Sequence, residues 1–149
     1  MKAKISKRII ISLLLFILLL CIDQMAKVLV INNLYNSSLN LINGFLNITY
    51  TENTGGAFGI GSNNTILFIL INIVIIGMLV RFLILKNKEM NTITFLSIFF
   101  VIAGGIGNLI DRVFRGHVID YIDINPLFKY PIFNFADICI VIRGYIYYD

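Results

Sequence analysis

Charged residues are scarce in this chain. They make up only 13% of its 149 residues, whereas 58% are hydrophobic and the mean hydropathy is +0.89. A soluble globular domain carries about 25% charged residues, so this composition predicts an integral membrane protein. The net charge of +4 does not indicate a nucleic-acid partner, because Lys2, Lys4, Lys7 and Arg8 supply four of the twelve basic residues and cluster before the first apolar segment.

Histidine and cysteine are rarer still. The chain has one histidine, His117, and two cysteines, Cys21 and Cys139, both inside apolar runs. The cysteines lack zinc-ligand spacing, and there is no His-Glu-x-x-His motif. A metal site would have to recruit Asp120 and Asp137 alongside His117 and Cys139, and a Ser-His-Asp triad would depend on the same histidine. We therefore predict a protein without a metal or a cofactor.

Long apolar runs, by contrast, are abundant. Four of them cover residues 9–31, 65–85, 93–110 and 132–148. A membrane span takes roughly 20 residues and must be helical or part of a closed barrel, because backbone groups find no water in lipid. The two-residue alternation of a barrel strand is absent. We therefore expect an all-α integral membrane protein with four transmembrane helices in a single domain, residues 1–149.

The distribution of basic residues predicts the orientation. Besides the N-terminal cluster, Lys86 and Lys88 lie in the short turn between the second and third segments, whereas residues 32–64 contain no Lys or Arg. Basic residues favour cytoplasmic loops. Both termini should therefore be cytoplasmic, and residues 32–64 and 115–131 should form the two outer loops.

The first outer loop has its own structure. Two short runs of strand character flank Asn43 and Gly44, which predicts a hairpin or small extracytoplasmic β-sheet on the membrane. The second run leads into a glycine-rich segment that includes Gly55. Glycine lets the backbone approach a ligand or another chain closely, so this segment is either part of a binding site or a flexible loop before the second helix.

One ion pair is predicted inside the first apolar segment. Lys27 follows Asp23 by four residues, the favourable acid-first order for two charges on one helix face. Ionisable groups at membrane depth are costly and persist mainly where they are paired or functional. The pair could face a polar cavity, or it could be a helix-end pair with Lys27 reaching the membrane interface.

A polar stripe is predicted along the third segment. Small residues within it would let another helix approach closely. The stripe could line a functional site, or it could combine small-residue packing with a structural pair between Asp111 and Arg112. It has the spacing i, i+4, i+7 and i+11 of one helix face and consists of Gly104, Asn108, Asp111 and Arg115.

Two further carboxylates flank a return of the chain that contains both prolines. Asp120 follows the third segment, Pro126 and Pro131 break the chain, Asn134 could cap the last helix, and Asp137 falls in its first turns. Two acids close together in a low dielectric cannot both ionise, so one of them keeps a proton. An aspartic protease uses such a pair, in which one carboxylate activates water and the other donates a proton.

Two other classes of function compete with an enzyme. Intramembrane acids and bases could form the relay of a small ion or proton conductor, and glycine-rich helix faces could bind partner helices in a non-enzymatic adaptor. A conductor should place polar groups through the whole membrane depth. Here they crowd the outer side, which favours a site at the outer face of the membrane.

These polar segments, taken in order, resemble those of the lipoprotein signal peptidase family, the bacterial type II signal peptidases. The resemblance extends from Asp23 to Asp137. The matching segments are Asp23-Gln24-Met25-Ala26-Lys27, Asn53-Thr54-Gly55-Gly56-Ala57-Phe58, Ala103-Gly104-Gly105-Ile106-Gly107-Asn108-Leu109-Ile110-Asp111-Arg112, Gly116-His117-Val118-Ile119-Asp120 and Phe133-Asn134-Phe135-Ala136-Asp137.

The resemblance implies an intramembrane aspartic endopeptidase of the bacterial inner membrane, without a cofactor. Its partners would be the lipid bilayer and a membrane-anchored prolipoprotein, cleaved just before a lipid-modified cysteine, and the enzyme would act as a monomer. Asp120 and Asp137 would be the catalytic residues. The resemblance and the polar segments described above together give the substrate-binding or site-supporting candidates. These are Asp23, Lys27, Asn53, Gly55, Gly107, Asn108, Asp111, Arg112, Asn134 and Ala136.

Overall fold

The structure is a computed structural model that describes residues 7–56, 61, 63–124 and 129–146, with side chains up to residue 141. Within these residues it is mostly helical, with one small sheet. The helices are α1 (Lys7–Leu34), α2 (Thr65–Lys86), α3 (Thr92–Arg115) and α4 (Phe135–Ile146), and the strands are β1 (Ser38–Ile42), β2 (Leu46–Asn53) and β3 (Val118–Asp123).

Among the described residues, three helices are long and apolar enough to cross a membrane. They are α1, α2 and α3, with 28, 22 and 24 residues. Among the residues of α2 only Leu83 is buried. Ile76 and Leu79 pack against the same core, and most of the other apolar side chains of α2 are exposed, as expected for a helix in lipid. Helix α3 continues five residues beyond the predicted end at residue 110 and stops at Gly116, whose φ of 81° and N–H bond to the Arg112 carbonyl form a left-handed C-cap.

The sheet has the strand order β1-β2-β3 and is antiparallel throughout. Its β1–β2 hairpin turns at Gly44, with a φ of 73°, which confirms the predicted hairpin. Strand β3 lies in what was predicted to be plain outer loop. It pairs Thr51 of β2 with Asp120, and Asn53 with Val118. This register places the Asn53 and Asp120 side chains diagonally on one face of the sheet.

Helix α4 packs against α3 and begins later than predicted. The chain between Pro131 and Asn134 is not helical, and residues 147 and 148 of the predicted fourth segment lie outside the described residues. The two helices approach closely at Gly104, where a β-carbon would overlap the carbonyl oxygen of Ala136. Apolar contacts of Leu19, Ala103 and Cys139 join α1, α3 and α4. The polar residues of all three helices therefore meet at one end of the bundle.

Candidate active site

A fully buried lysine organises the polar residues of the bundle. Lys27 is 0% exposed. Its Nζ lies 2.9 Å from Asp23 Oδ2 and 2.7 Å from Asp111 Oδ2, and it donates to Asn108 Oδ1 at 3.0 Å. An ammonium group has three hydrogens and no acceptor, so these three partners satisfy it completely. The predicted pair between Asp23 and Lys27 is thus confirmed, and it faces the bundle interior.

The second acid of this network, Asp111, is also 0% exposed. Its Oδ1 forms an ion pair with Arg115, which lies one turn later on α3, and accepts a bond of 3.3 Å from Gln24 Nε2. Asp111 therefore pairs with Lys27 and Arg115 rather than in the alternative pair with Arg112, because adjacent residues on a helix do not face each other. Two acids and two bases balance the charge of the network.

Asn108 connects this charge network to the last helix. Its Oδ1 accepts hydrogen bonds from Lys27 Nζ at 3.0 Å and from Asn134 Nδ2 at 3.1 Å. Its Nδ2 donates to Asp137 Oδ1 at 2.9 Å. Because two donors fix the amide oxygen, the amide nitrogen must face Asp137. Lys27 thus orients the Asp137 carboxylate through Asn108.

Asn134 and Asp137 form a reciprocal cap at the start of α4. The Asp137 N–H donates to Asn134 Oδ1 at 3.0 Å, and the Asn134 N–H donates to Asp137 Oδ2 at 3.0 Å. This is the arrangement of a capping box, with Asp in the place of Glu, and it confirms the predicted cap. Asn134 Nδ2 also donates to Asp120 Oδ1 at 2.7 Å. One asparagine therefore contacts both carboxylates.

Asp120 lies on β3 with 3% of its surface exposed. Its Oδ2 accepts a hydrogen bond of 2.9 Å from Asn53 Nδ2, and Asn53 Oδ1 in turn accepts from the Gly55 N–H at 2.9 Å. Burial, and after it the neighbouring Asp137 carboxylate, raise the pKa of Asp120 to about 6, against the hydrogen bonds from Asn53 and Asn134. A carboxyl group with this pKa can hold or release a proton near neutral pH.

Arg112 borders the two carboxylates from the α3 side and interacts electrostatically with both. Its guanidinium donates to the Gly55 carbonyl at 2.7 Å and lies 5.4 Å from the centre of the Phe68 ring. Its buried Nε finds no acceptor among the residues that the structure describes. Arg112 and Asn108 line a cavity of about 140 Å³ between α2, α3 and α4.

Gly107 and Ala136 allow the buried acid of α1 to approach the other helices. The Ala136 N–H donates to Asp23 Oδ1 at 3.1 Å. A β-carbon on Gly107 would lie only 2.5 Å from Asp23 Oδ2, which is too close for any contact. A glycine at this position therefore keeps Asp23 within reach of both Lys27 and α4.

We expect Gly107→Ala to destabilise the protein by about 1–3 kcal/mol, the usual cost of overpacking. Thermal unfolding in a detergent or bicelle preparation measures this loss. Gly77→Ala on α2 is the matched control, because a β-carbon there meets nothing within 4 Å. The control should be neutral or more stable, since alanine is the better helix former by about 0.5–1 kcal/mol. Equal stability of the two variants would contradict the close approach at Gly107.

Comparison with known proteins assigns the family. A family model described as signal peptidase (SPase) II matches residues 15–148 of the chain. The chain belongs to the signal peptidase II family. It is 37% identical over 131 residues to the lipoprotein signal peptidase of Clostridioides difficile, covering 87% of this chain and 86% of that protein. It is 40% identical over 131 residues to the one from Staphylococcus haemolyticus, with coverages of 87% and 82%.

The chain also resembles a solved structure of a bacterial membrane enzyme. That structure was determined by the in meso method at 1.9 Å resolution. It is 36% identical in sequence, matches with a TM-score of 0.80, and covers 91% of this chain and 88% of that one. The family model and the relatives confirm the predicted family, and together with this likeness they support a multi-pass membrane enzyme.

The predicted site residues of this signal peptidase II form one connected network. Asp120 and Asp137 meet at Asn134, Asn53 and Gly55 approach from the sheet, and the other candidates from α1, α3 and α4 support them. The list of predicted site residues omitted Gln24 and Arg115, although Arg115 belonged to the polar stripe predicted along the third segment. The spacing of four residues between Asp111 and Arg115 was the signal for Arg115. His117 lies outside the network, with Nδ1 3.7 Å from Glu52 Oε2.

Proposed function

We propose that Asp120 and Asp137 are the catalytic pair with which this signal peptidase II removes the signal peptide from prolipoproteins. The observation that carries the proposal is the hydrogen bonding of the two carboxylates to the same residue, Asn134, in a buried site. All of the participating side chains come from a single chain, so a monomer can form the complete site.

The hydrogen bonds around the pair hold each carboxylate in one orientation. Asn134 Nδ2 and Asn53 Nδ2 donate to the two oxygens of Asp120. Asn108 Nδ2 and the Asn134 N–H donate to the two oxygens of Asp137. Every carboxylate oxygen accepts one hydrogen bond from these donors, so neither carboxylate can rotate without breaking a hydrogen bond. A preorganised pair of this kind can bind a water in a defined position.

The chemistry of the pair follows from its shared proton. In the resting state one carboxyl group is ionised and the other is protonated, because two charges cannot coexist at this depth. The ionised group takes a proton from water, the resulting hydroxide oxygen attacks the scissile carbonyl carbon, and the protonated group donates to the carbonyl oxygen. The first group then passes its proton to the leaving nitrogen as the C–N bond breaks, and the second group takes back a proton from the intermediate's hydroxyl as the carbonyl forms again, which restores the resting state.

We expect Asn53→Ala to move the alkaline limb of the pH–rate profile to higher pH. The hydrogen bond from Asn53 favours ionised Asp120 and lowers its pKa, so its removal raises that pKa above about 6. The pair then keeps its single proton to a higher pH. The dependence of kcat/KM on pH measures the shift, whatever the loss in maximal rate. Asn40→Ala is the control, because Asn40 bonds only to Asn47 in the exposed hairpin. An unmoved limb in Asn53→Ala would rule out Asp120 as the group that titrates.

The substrate is proposed to be a lipid-modified prolipoprotein, cleaved just before its modified cysteine. The site lies where membrane-embedded helices meet the small sheet, so a substrate anchored in the bilayer can reach it. The cavity between α2, α3 and α4 is lined by Asn108 and Arg112, so the Arg112 guanidinium can donate to a substrate carbonyl there. These features favour an extended peptide that passes beside the carboxylates.

The test uses purified full-length protein with two precursors of one prolipoprotein, with and without diacylglyceryl modification of the cysteine. We expect cleavage only of the modified precursor, with the modified cysteine as the new N-terminus by mass spectrometry. Cleavage of both precursors at equal rate would show that the enzyme does not recognise the lipid. Cleavage of neither, by protein that is folded, would contradict the proposed activity.

We propose that both termini lie in the cytoplasm of a bacterial cell, that α4 forms a fourth span, and that the site opens at the outer face. In a variant without Cys21 and Cys139, single cysteines replacing Asn36 or Asp123 should react with a membrane-impermeant reagent added from outside. Lys88→Cys should react only after the membrane is opened. Outside labelling at Lys88→Cys instead of Asn36→Cys would invert the proposed topology.

A further inference from the structure

A second cavity lies at the opposite end of the bundle from the carboxylates. Its volume is about 340 Å³, and all but one of its lining residues are apolar. Leu13 and Ile84 line it with 47% and 73% of their surface exposed, so the cavity opens on the side of the bundle. The walls come from α1 (Ile9, Leu13, Phe16), α2 (Leu83, Ile84) and α3 (Phe99).

The end of this cavity carries positive charge. Among the described residues that line it, Asn87 alone is polar, and the side-chain oxygen of Asn87 accepts a hydrogen bond from Arg8. The Arg8 guanidinium also donates to the Met90 carbonyl at 2.8 Å and lies 4.3 Å from the centre of the Phe95 ring. Lys86 and Lys88 are exposed one residue to either side of Asn87. Within the described part of the chain, Lys86 pairs with Glu89, whereas no ion pair involves Arg8 or Lys88.

We propose that this cavity is a binding site for one anionic glycerophospholipid. An acyl chain fills the apolar groove between α1 and α2, and the phosphate lies at the basic end formed by Arg8, Lys86 and Lys88. The groove opens at membrane depth, where hydrocarbon rather than water is the surrounding medium. Each basic side chain near a membrane surface raises the preference for an anionic lipid roughly fivefold. Arg8 also fixes the turn between α2 and α3, so a bound lipid stabilises the packing of three helices.

A signal peptide fits this groove less well than a lipid. Signal peptides carry a positively charged segment before their apolar core, and this segment would meet the basic residues Arg8, Lys86 and Lys88. An anionic phospholipid offers the opposite charge at the same place. The groove shares no lining residue with the cavity beside Asn108, which is the one proposed above to receive the peptide.

The absence of tryptophan from the chain allows a direct test by fluorescence. Phe99→Trp places a reporter in the wall of the groove, and Met78→Trp places one on the exposed side of α2. Phe99 lies seven residues after the start of α3 at Thr92, and Met78 lies eight residues before the end of α2 at Lys86. Along their helices, both are therefore ~10–12 Å from the turn between α2 and α3. Leu13→Trp is a second groove reporter if Phe99→Trp does not fold. Each protein is reconstituted in phosphatidylcholine vesicles that contain a minor fraction of a quenching lipid. The quencher is either brominated phosphatidylglycerol or brominated phosphatidylcholine, with the bromine on the acyl chains in both.

We expect brominated phosphatidylglycerol to quench the groove reporter more than brominated phosphatidylcholine does, and both lipids to quench Met78→Trp equally. Replacing Lys86 and Lys88 together by glutamine should reduce the preference for phosphatidylglycerol at least fivefold. Equal quenching of the groove reporter by the two lipids would overturn the proposal, as would a preference that survives the loss of both lysines. Quenching by neither lipid would show that something other than lipid fills the groove.

Discussion

Replacing either Asp120 or Asp137 by asparagine is expected to slow prolipoprotein cleavage by at least the ~10²–10⁴-fold typical of one general acid or base. Asparagine has nearly the same shape but can neither take a proton from water nor donate one as an acid. Cleavage of the lipid-modified precursor under single-turnover conditions measures the loss. Asp123→Asn, which changes a nearby acid on β3 outside the motif, should remain active.

An exchange variant separates the chemical role of Asp120 from its structural one. Asn53 and Asn134 donate to the two oxygens of Asp120. In Asp120→Asn one of these oxygens becomes an NH2 group, so two hydrogen-bond donors face each other there. Loss of such a hydrogen bond costs about 1–3 kcal/mol. Combining Asp120→Asn with Asn53→Asp restores a donor–acceptor pair but moves the carboxylate to β2. We expect this combination to recover stability without recovering activity. Recovered activity would mean that the position of this carboxylate is not critical.

Replacing Lys27 by methionine is expected to produce the largest loss of stability in the chain. The change leaves Asp23 and Asp111 buried without their shared cation and removes a donor from Asn108. Breaking a buried pair by removing one partner costs about 3–5 kcal/mol. Chemical or thermal unfolding in bicelles measures the loss, and the activity of the remaining folded protein should also fall, because the Asn108 amide is no longer fixed toward Asp137.

Lys86→Met is the matched control for Lys27→Met. Lys86 forms an ion pair of 2.7 Å with Glu89, but both side chains are largely exposed. An exposed pair contributes about 0–1 kcal/mol, so its loss should have little effect on unfolding in bicelles that contain no anionic lipid. Equal and small effects of the two substitutions would contradict the central position of Lys27 in the site.

The parts of the site that lie within one helix could be predicted from the sequence, whereas the contacts between helices could not. Asp23 and Lys27 lie four residues apart, so helical geometry alone brings them together. The bond between Lys27 and Asn108 joins residues 81 positions apart, and periodicity does not specify which polar faces meet. Gln24 was not among the predicted site residues, and only the packing of α1 on α3 places it against Asp111.

The same distinction applies to the fold. The hairpin at Gly44 has a local turn signal, and the structure confirms it. Strand β3 has none, because its residues from Val118 to Tyr121 are buried on both faces and lack the alternation of a half-buried strand. Its pairing with β2 depends on a partner far away in the sequence. The two carboxylates could therefore be predicted from the sequence, but the strand that positions Asp120 could not.

The most direct test of the catalytic pair is the single-turnover rate of cleavage of one lipid-modified precursor by four proteins. These are the wild type, Asp120→Asn, Asp137→Asn and the double variant, each with and without a chelator. If the two acids act as a unit, the three variants should be similarly slow, because removing the second member of a unit adds little, and the chelator should not slow the wild type. Near wild-type cleavage by both single variants, together with its abolition by the chelator, would contradict an aspartic mechanism.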